Sequence, residues 1–265
     1  MTFQSKSCLV TGAGNGIGRA LVLALLKEGA TVFAFDRDQA SLEALVKETK
    51  TSQKLQTYRL DITDHQAVET TLKTIIKDVS PVDAVFNVAG IIQPFVPVES
   101  LDYDTVRRVM DVNFYGTLYV IKTLLPHLKT RKEATITNIS SMGGFVPVPG
   151  QTIYGASKAA IKLLSEGLNS ELKDTNVSVT VVFPGGVETA IMTRSGASLD
   201  SLPDDVKTAR RRLLSADEAA QKILEATRKK KFRAVIGRDA KALDVFSRMN
   251  PKKAANAIAK RLKLM

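Results

Sequence analysis

Short β-rich segments alternate with longer helical ones along most of this chain, and that alternation leaves few folds open. Segments Ser7–Thr11, Thr31–Asp36, Leu55–Arg59, Ala84–Asn87, Thr135–Ile139, Ser178–Val182 and Phe232–Ile236 read as strands. Helical patterns fill the gaps, roughly over Gly16–Glu28, Gln39–Thr49, His65–Lys77, Leu101–Thr130, Tyr154–Asp174 and Ala216–Arg228. Ser215-Ala-Asp-Glu218 has capping-box spacing ahead of the last of these. No repeat or Pro/Gly-rich linker divides the 265 residues. The expectation is one α/β domain: a doubly wound parallel sheet of about seven strands, helices on both faces, ligand groups at the carboxyl ends of the strands.

Composition narrows the function classes. With 44% hydrophobic and 25% charged residues the chain reads as globular, and no run of eighteen apolar residues would span a membrane. The N-terminal residues lead straight into a strand without a secretory pattern, and Cys8 is the single cysteine. Both point to a reducing, cytoplasmic setting without disulfides or a metal site. The net charge of +11 is concentrated at one end: residues 206–265 hold 18 Lys/Arg against 5 Asp/Glu. A polar stretch at about 190–215 reads as a substrate lid, and about 240–265 as a basic C-terminal extension. That extension is partly amphipathic, which allows weak peripheral membrane contact. No aromatic platform accompanies the charge, so nucleic acid is not an expected partner.

The first strand runs into Thr11-Gly12-Ala13-Gly14-Asn15-Gly16-Ile17-Gly18 and then a helix. Glycines let the backbone approach a diphosphate, and the helix N-terminus favours the anion. The spacing differs from Gly-x-Gly-x-x-Gly, which would need glycine at Ile17. Asp36 ends the second strand, where a carboxylate accepts hydrogen bonds from ribose hydroxyls and repels a 2′-phosphate. This favours NAD over NADP, with Arg37 and Arg19 pulling the other way and helix capping by Asp36 or Asp38 the competing reading.

Tyr154 and Lys158 are i and i+4 on a helical pattern, with Ser141 thirteen positions upstream of the tyrosine. A phenol near pKa 10 is a poor acid–base group at neutral pH, and a fixed ammonium beside it is expected to bring it down. A core tyrosine and a solvated lysine would give the same pattern. Adjacent Ser140 is the alternative to Ser141 as working hydroxyl.

Together these motifs resemble the short-chain dehydrogenase/reductase family over nearly the whole chain. Thr11-Gly-x-x-x-Gly16-x-Gly18 is similar to its cofactor turn, Asp61-Ile62-Thr63 to its adenine-contacting Asp-Val-Thr, and Asn87-Val88-Ala89-Gly90 to its Asn-Asn-Ala-Gly, with Val88 in place of the second Asn. Asn113, Ser141, Tyr154 and Lys158 match the catalytic tetrad, and Pro184-Gly185-Gly186-Val187-Glu188-Thr189 resembles the nicotinamide loop. The resemblance implies a Rossmann-type fold and reversible hydride transfer between a nicotinamide and a secondary alcohol or ketone. Tyr154 would exchange the proton, Ser141 polarise the substrate oxygen, Lys158 bind the nicotinamide ribose, and Asn113 help hold a relay water. Cofactor contacts would come from Gly12, Asn15, Gly16, Ile17, Gly18, Asp36, Arg37, Asp61, Ile62, Asn87, Ala89, Gly90, Tyr154, Lys158, Pro184, Gly185, Val187 and Thr189. Ser141, Gly143, Phe145, Ile153, Tyr154 and Met192 would face substrate; their mostly apolar character suits a lipophilic small molecule. The family implies a homodimer or homotetramer. An NADP-dependent carbonyl reductase and a dinucleotide-sensing regulatory protein are the alternative readings.

Overall fold

The computed structural model describes residues 2–50, 53–188, 191, 195 and 213–262, residues 261 and 262 by backbone alone. Its strands are β1 (Ser7–Thr11), β2 (Thr31–Asp36), β3 (Leu55–Arg59), β4 (Ala84–Asn87), β5 (Ala134–Ile139), β6 (Val177–Pro184) and β7 (Arg233–Ile236). All pair in parallel, in the order β3-β2-β1-β4-β5-β6-β7. The winding direction reverses between β1 and β4, where Thr11 stands beside Phe35 on one side and Asn87 on the other. At such a reversal the connections diverge and leave a crevice at the carboxyl ends of the strands.

The helices are α1 (Gly16–Lys27), α2 (Gln39–Glu48), α3 (His65–Thr74), α4 (Tyr103–Met110), α5 (Thr117–Leu128), α6 (Thr152–Glu171), α7 (Ala216–Arg228), α8 (Arg238–Met249) and α9 (Pro251–Leu262). Strand side chains alternate between faces. Cys8, Val10, Val32, Ala34, Ala84 and Phe86 pack with Leu21 and Leu25 of α1, Leu42 and Leu45 of α2, and Ile223 and Leu224 of α7. Leu9, Phe33, Phe35, Val85, Ile136 and Val179 pack with Val68 and Leu72 of α3, Leu124 and Leu128 of α5, and Leu168 of α6. Each such Leu or Phe taken out of water contributes about 1.5–3 kcal/mol, so both faces hold their helices firmly.

The helical stretch expected at Leu101–Thr130 is interrupted. Asp102 caps α4 by accepting from the Thr105 N–H, and a π-turn over Asp111–Gly116 separates α4 from α5. A wider turn of this kind inserts an extra residue and re-aims the side chains around it; Asn113 there is fully buried. β6 outruns its expected end by two residues and carries Pro184 to the crevice. The basic extension begins within the fold: Ala240 and Ala254 are buried, and Asp239 of α8 accepts from the Gly186 N–H at 2.8 Å. Val245, Phe246 and Met249 of α8 are exposed. Among the described residues no helix is long and apolar enough to cross a membrane.

α6 is tied to the sheet by buried polar contacts. Asn87 donates to Asn138, Asn138 to Ser165, and Ser165 to the Ile161 carbonyl. Beside them Gly144, in the short turn Met142–Gly144, lies against the α6 backbone. A β-carbon there would sit 2.7 Å from Ser140 Oγ and 2.9 Å from the Lys158 carbonyl oxygen. Gly144→Ala should therefore push the turn off α6, at about 1–3 kcal/mol and a Tm lower by roughly 2–10 °C. An unchanged melting curve would show that this contact yields freely.

Candidate active site

The crevice runs from the glycine-rich turn to the N-terminal half of α6. Gly12 has φ +67° and Gly16 φ +49°, left-handed values that favour glycine. A β-carbon on Gly18 would come within 2.0 Å of the Gly12 carbonyl oxygen, so the turn closes tightly over the first turn of α1. Asn15 occupies the N-cap of α1 without a side-chain cap bond; its amide donates to Ser41 instead. This bare cradle of backbone at a helix N-terminus fits the diphosphate of a dinucleotide.

Asp36 is fixed at the end of β2, beside the glycine-rich turn. Its Oδ2 accepts from the Gly14 N–H at 2.8 Å and its Oδ1 from the Asp38 N–H at 3.0 Å. Capping of α2 falls to Asp38, which accepts from Ala40 and Ser41 N–H groups. Arg37 is exposed at the rim, close to Arg59 and Asp61. Asp61 Oδ1 accepts from both the backbone and the hydroxyl of Thr63, a turn-stabilising pair, while its residue still borders the crevice.

At the other end Ser141, Tyr154 and Lys158 meet. Ser140 is spent on structure: its hydroxyl donates to the Lys158 carbonyl at 2.7 Å. Ser141 Oγ accepts from the Gly143 N–H at 3.1 Å and hydrogen-bonds the Tyr154 phenol. Lys158 is buried, donates from Nζ to the Ile139 carbonyl at 3.0 Å, and lies over the Tyr154 ring, 5.9 Å from its centroid. Burial lowers its pKa from 10.5 to about 8, which leaves it protonated at neutral pH. The phenol departs from the sequence expectation. Burial raises its pKa, and the lowering contribution comes from the Ser141 hydrogen bond rather than from the ammonium.

Asn113 sits behind this group. Its Oδ1 accepts from the Ile91 N–H, and its Nδ2 donates to the Ile91 carbonyl and to Ser157 Oγ. A β-carbon on Gly90 would lie 3.1 Å from Lys158 Nζ and 3.2 Å from Asn113 Oδ1, so glycine keeps the approach to both open.

Most residues expected to contact cofactor border one crevice: Gly12, Asn15, Gly16, Ile17, Gly18, Asp36, Arg37, Asp61, Ile62, Ala89, Gly90, Tyr154, Lys158, Pro184, Gly185 and Val187, with Ser141 beside them. Asn87 lies instead in the buried Asn138 ladder, its Oδ1 without a hydrogen-bond partner. Phe145 packs edge-on against Phe183, 5.4 Å between centroids. Gly143 stays beside the reacting groups, where a β-carbon would be 3.6 Å from both Ser141 Oγ and the Tyr154 ring. Ile153 offers its N–H to Gln93. Thr189, Met192 and most of the expected lid lie outside the described residues. Phe35, Leu60, Val112, Ile139 and Ser195 border the crevice without having been singled out. Gln93, also unexpected, was visible only as a lone polar residue in the apolar run Ile91–Phe95.

Comparison with known proteins places the chain in a family. A family model described as short chain dehydrogenase matches residues 6–200. The chain is 34% identical over 257 residues to SadH of Mycobacterium tuberculosis, a protein provisionally named an oxidoreductase, covering 94% of this chain and 92% of that one. A short chain dehydrogenase from Burkholderia cenocepacia in complex with NADP superposes with a TM-score of 0.81 at 25% identity, over 97% of this chain and 99% of the other. A 3-ketoacyl-(acyl-carrier-protein) reductase from Brucella melitensis complexed with NADH gives 0.77 at 25% identity, over 88% and 97%. The chain belongs to the short-chain dehydrogenase family, enzymes that act on CH–OH groups with a nicotinamide dinucleotide.

Proposed function

We propose that the protein is an NAD-linked oxidoreductase interconverting a lipophilic secondary alcohol and its ketone. The observation that carries this reading is the meeting of Ser141, Tyr154 and Lys158 at the end of a crevice that starts in a glycine-rich diphosphate cradle. When bound, the nicotinamide dinucleotide supplies or accepts the hydride.

In this reading the substrate oxygen lies between the Ser141 hydroxyl and the Tyr154 phenol. Burial holds the phenol as the acid, the form that donates to a carbonyl oxygen in reduction; oxidation requires the phenolate, which the Ser141 hydroxyl favours. Lys158, still charged at neutral pH and hydrogen-bonded to Ile139, is poised to pass protons toward the tyrosine. Asp36 offers each carboxylate oxygen's remaining lone pairs to ribose hydroxyls, which supports NAD. Arg37 and Arg59 beside it favour a second reading, NADP, because two guanidinium groups could meet a 2′-phosphate. The apolar residues Ile91, Ile191 and Val112 along the crevice support a lipophilic substrate. Exposed Tyr103, Tyr115 and Leu163, on and between α4 and α6, support a homo-oligomer.

Nicotinamide absorbance with NAD and NADP across steroid, retinoid, aliphatic and polyol alcohols tests the reading. Turnover should be greatest with NAD and lipophilic alcohols, and Tyr154→Phe should lower it on the order of 10²–10⁴-fold with dinucleotide affinity nearly unchanged. Equal turnover in that variant would remove the assignment. Asp36→Ala should move preference toward NADP; a wild-type preference ratio would show that Asp36 does not set it.

The buried ammonium gives a further expectation. The Lys158 pKa falls from 10.5 to about 8 in the fold. Below pH 8 both folded and unfolded states are protonated, and the fold bears the full desolvation penalty. Stability then recovers as pH rises from about 8 towards 10.5, where only the unfolded chain remains charged. At pH 7 the penalty is about 3 kcal/mol, and losing the hydrogen bond to Ile139 takes back about 1 kcal/mol. Lys158→Met should thus abolish turnover yet melt several degrees higher at neutral pH. A lower Tm, or an unaltered rise of Tm with pH, would contradict this account.

A further inference from the structure

The helix that carries Tyr154 begins without a cap of its own. Gln151 occupies its N-cap position and makes no side-chain bond to the first turn. The first N–H groups of a helix have no partner within it, and leaving them bare where water is excluded is expensive. Here the acceptor comes from a different part of the chain. Gln93, fully buried in the segment after β4, places its Oε1 2.9 Å from the Ile153 nitrogen and 3.0 Å from the Tyr154 nitrogen, accepting from both.

The same amide is used at its other end. Gln93 Nε2 donates to the Gly150 carbonyl at 3.0 Å, and the Gln93 carbonyl accepts from Gln151 Nε2 at 2.8 Å. Two glutamines thus lock the segment after β4 to the chain entering α6, one residue either side of the helix start. The neighbours of Gln93 are bound just as firmly: Ile91 is held at both its N–H and its carbonyl by Asn113, and the Ile92 N–H donates to Ser195 Oγ.

We propose that Gln93 is a positioning residue for catalysis, holding the first turn of α6 so that the Tyr154 phenol meets Ser141. The geometry is direct, because the nitrogen that Gln93 grips belongs to Tyr154 itself. Without that acceptor the turn would reorganise to find others, and the phenol would swing with it. A displacement of about 1 Å at reacting groups lowers rates on the order of 10²-fold. Dinucleotide affinity should hardly change, since the glycine-rich turn and Asp36 lie at the opposite end of the crevice. The proposal rests on the assignment of Tyr154 as the acid–base group.

The test uses the full chain and the alcohol of the panel that turns over fastest, with Tyr154→Phe run alongside. Gln93→Leu removes acceptor and donor together. If it does not give a cooperative melt, Gln93→Asn, which keeps the amide but is one methylene too short, takes its place. Gln93→Glu retains an oxygen for the two N–H groups. The folded truncation should lose at least about tenfold in kcat while its NADH dissociation constant stays within about threefold, and Gln93→Glu should recover most of that kcat. A truncation that keeps kcat within about twofold overturns the proposal, as does a glutamate variant that loses as much as the truncation. Undiminished turnover in Tyr154→Phe would instead overturn the underlying assignment, so the two failures are separable.

Discussion

A single buried ammonium sets most of what surrounds it. Lys158 sits where desolvation works against its charge, and it keeps that charge at neutral pH with one hydrogen bond, to the Ile139 carbonyl at the end of β5. That bond requires α6 to lie close over the strand ends. Close approach requires Gly144, because any side chain there meets the Lys158 carbonyl, and Gly90, which leaves room before the ammonium itself. It also consumes Ser140, whose hydroxyl is drawn to the Lys158 backbone, so the neighbouring Ser141 is left to meet the phenol. The choice between two adjacent serines is thus decided by where the lysine lies.

The sheet was legible because both faces are covered. The central strands, buried on both sides, read as apolar runs, and all seven strands appear within a few residues of their expected bounds. The grouping of Ser141, Tyr154 and Lys158 was legible for another reason: the three lie on one turn and the helix that follows it, close in sequence. Contacts that join distant segments were not legible. Nothing local marks the π-turn at Asp111–Gly116, which accommodates Gly116 against Ile62. Nothing local shows that Asn87 would be drawn into a ladder with Asn138 and Ser165. The phenol's pKa was misjudged similarly, since the sequence displays the lysine but not the burial that outweighs it.

The end of β2 shows how a polar residue at a strand terminus can be prepared in advance. Asp36 is oriented by two backbone N–H groups, one from the glycine-rich turn and one from the start of the α2 cap. A side chain on Gly14 would strike that carboxylate at 2.9 Å, so the glycine serves Asp36 as much as it serves the turn. Reading the motif as a flexible phosphate loop therefore captures half its purpose. Its second role is to fix Asp36, the carboxylate on which the proposed preference for ribose hydroxyls over a phosphate rests.

The same economy governs the segment after β4. Three consecutive residues, Ile91, Ile92 and Gln93, are bonded respectively to Asn113 in the π-turn, to Ser195, and to the first turn of α6. Each partner comes from a different region of sequence, and each bond is at least partly buried, so the segment cannot shift without stranding a donor or acceptor. It consequently ties the helix bearing Tyr154 to the π-turn bearing Asn113, and both to the chain beyond β6. In the proposed reading Tyr154 must stay in register with a cofactor that also reaches the glycine-rich turn. Here that register is carried by backbone groups of a short apolar run, whose side chains reveal little of it and whose single polar member, Gln93, reveals the most.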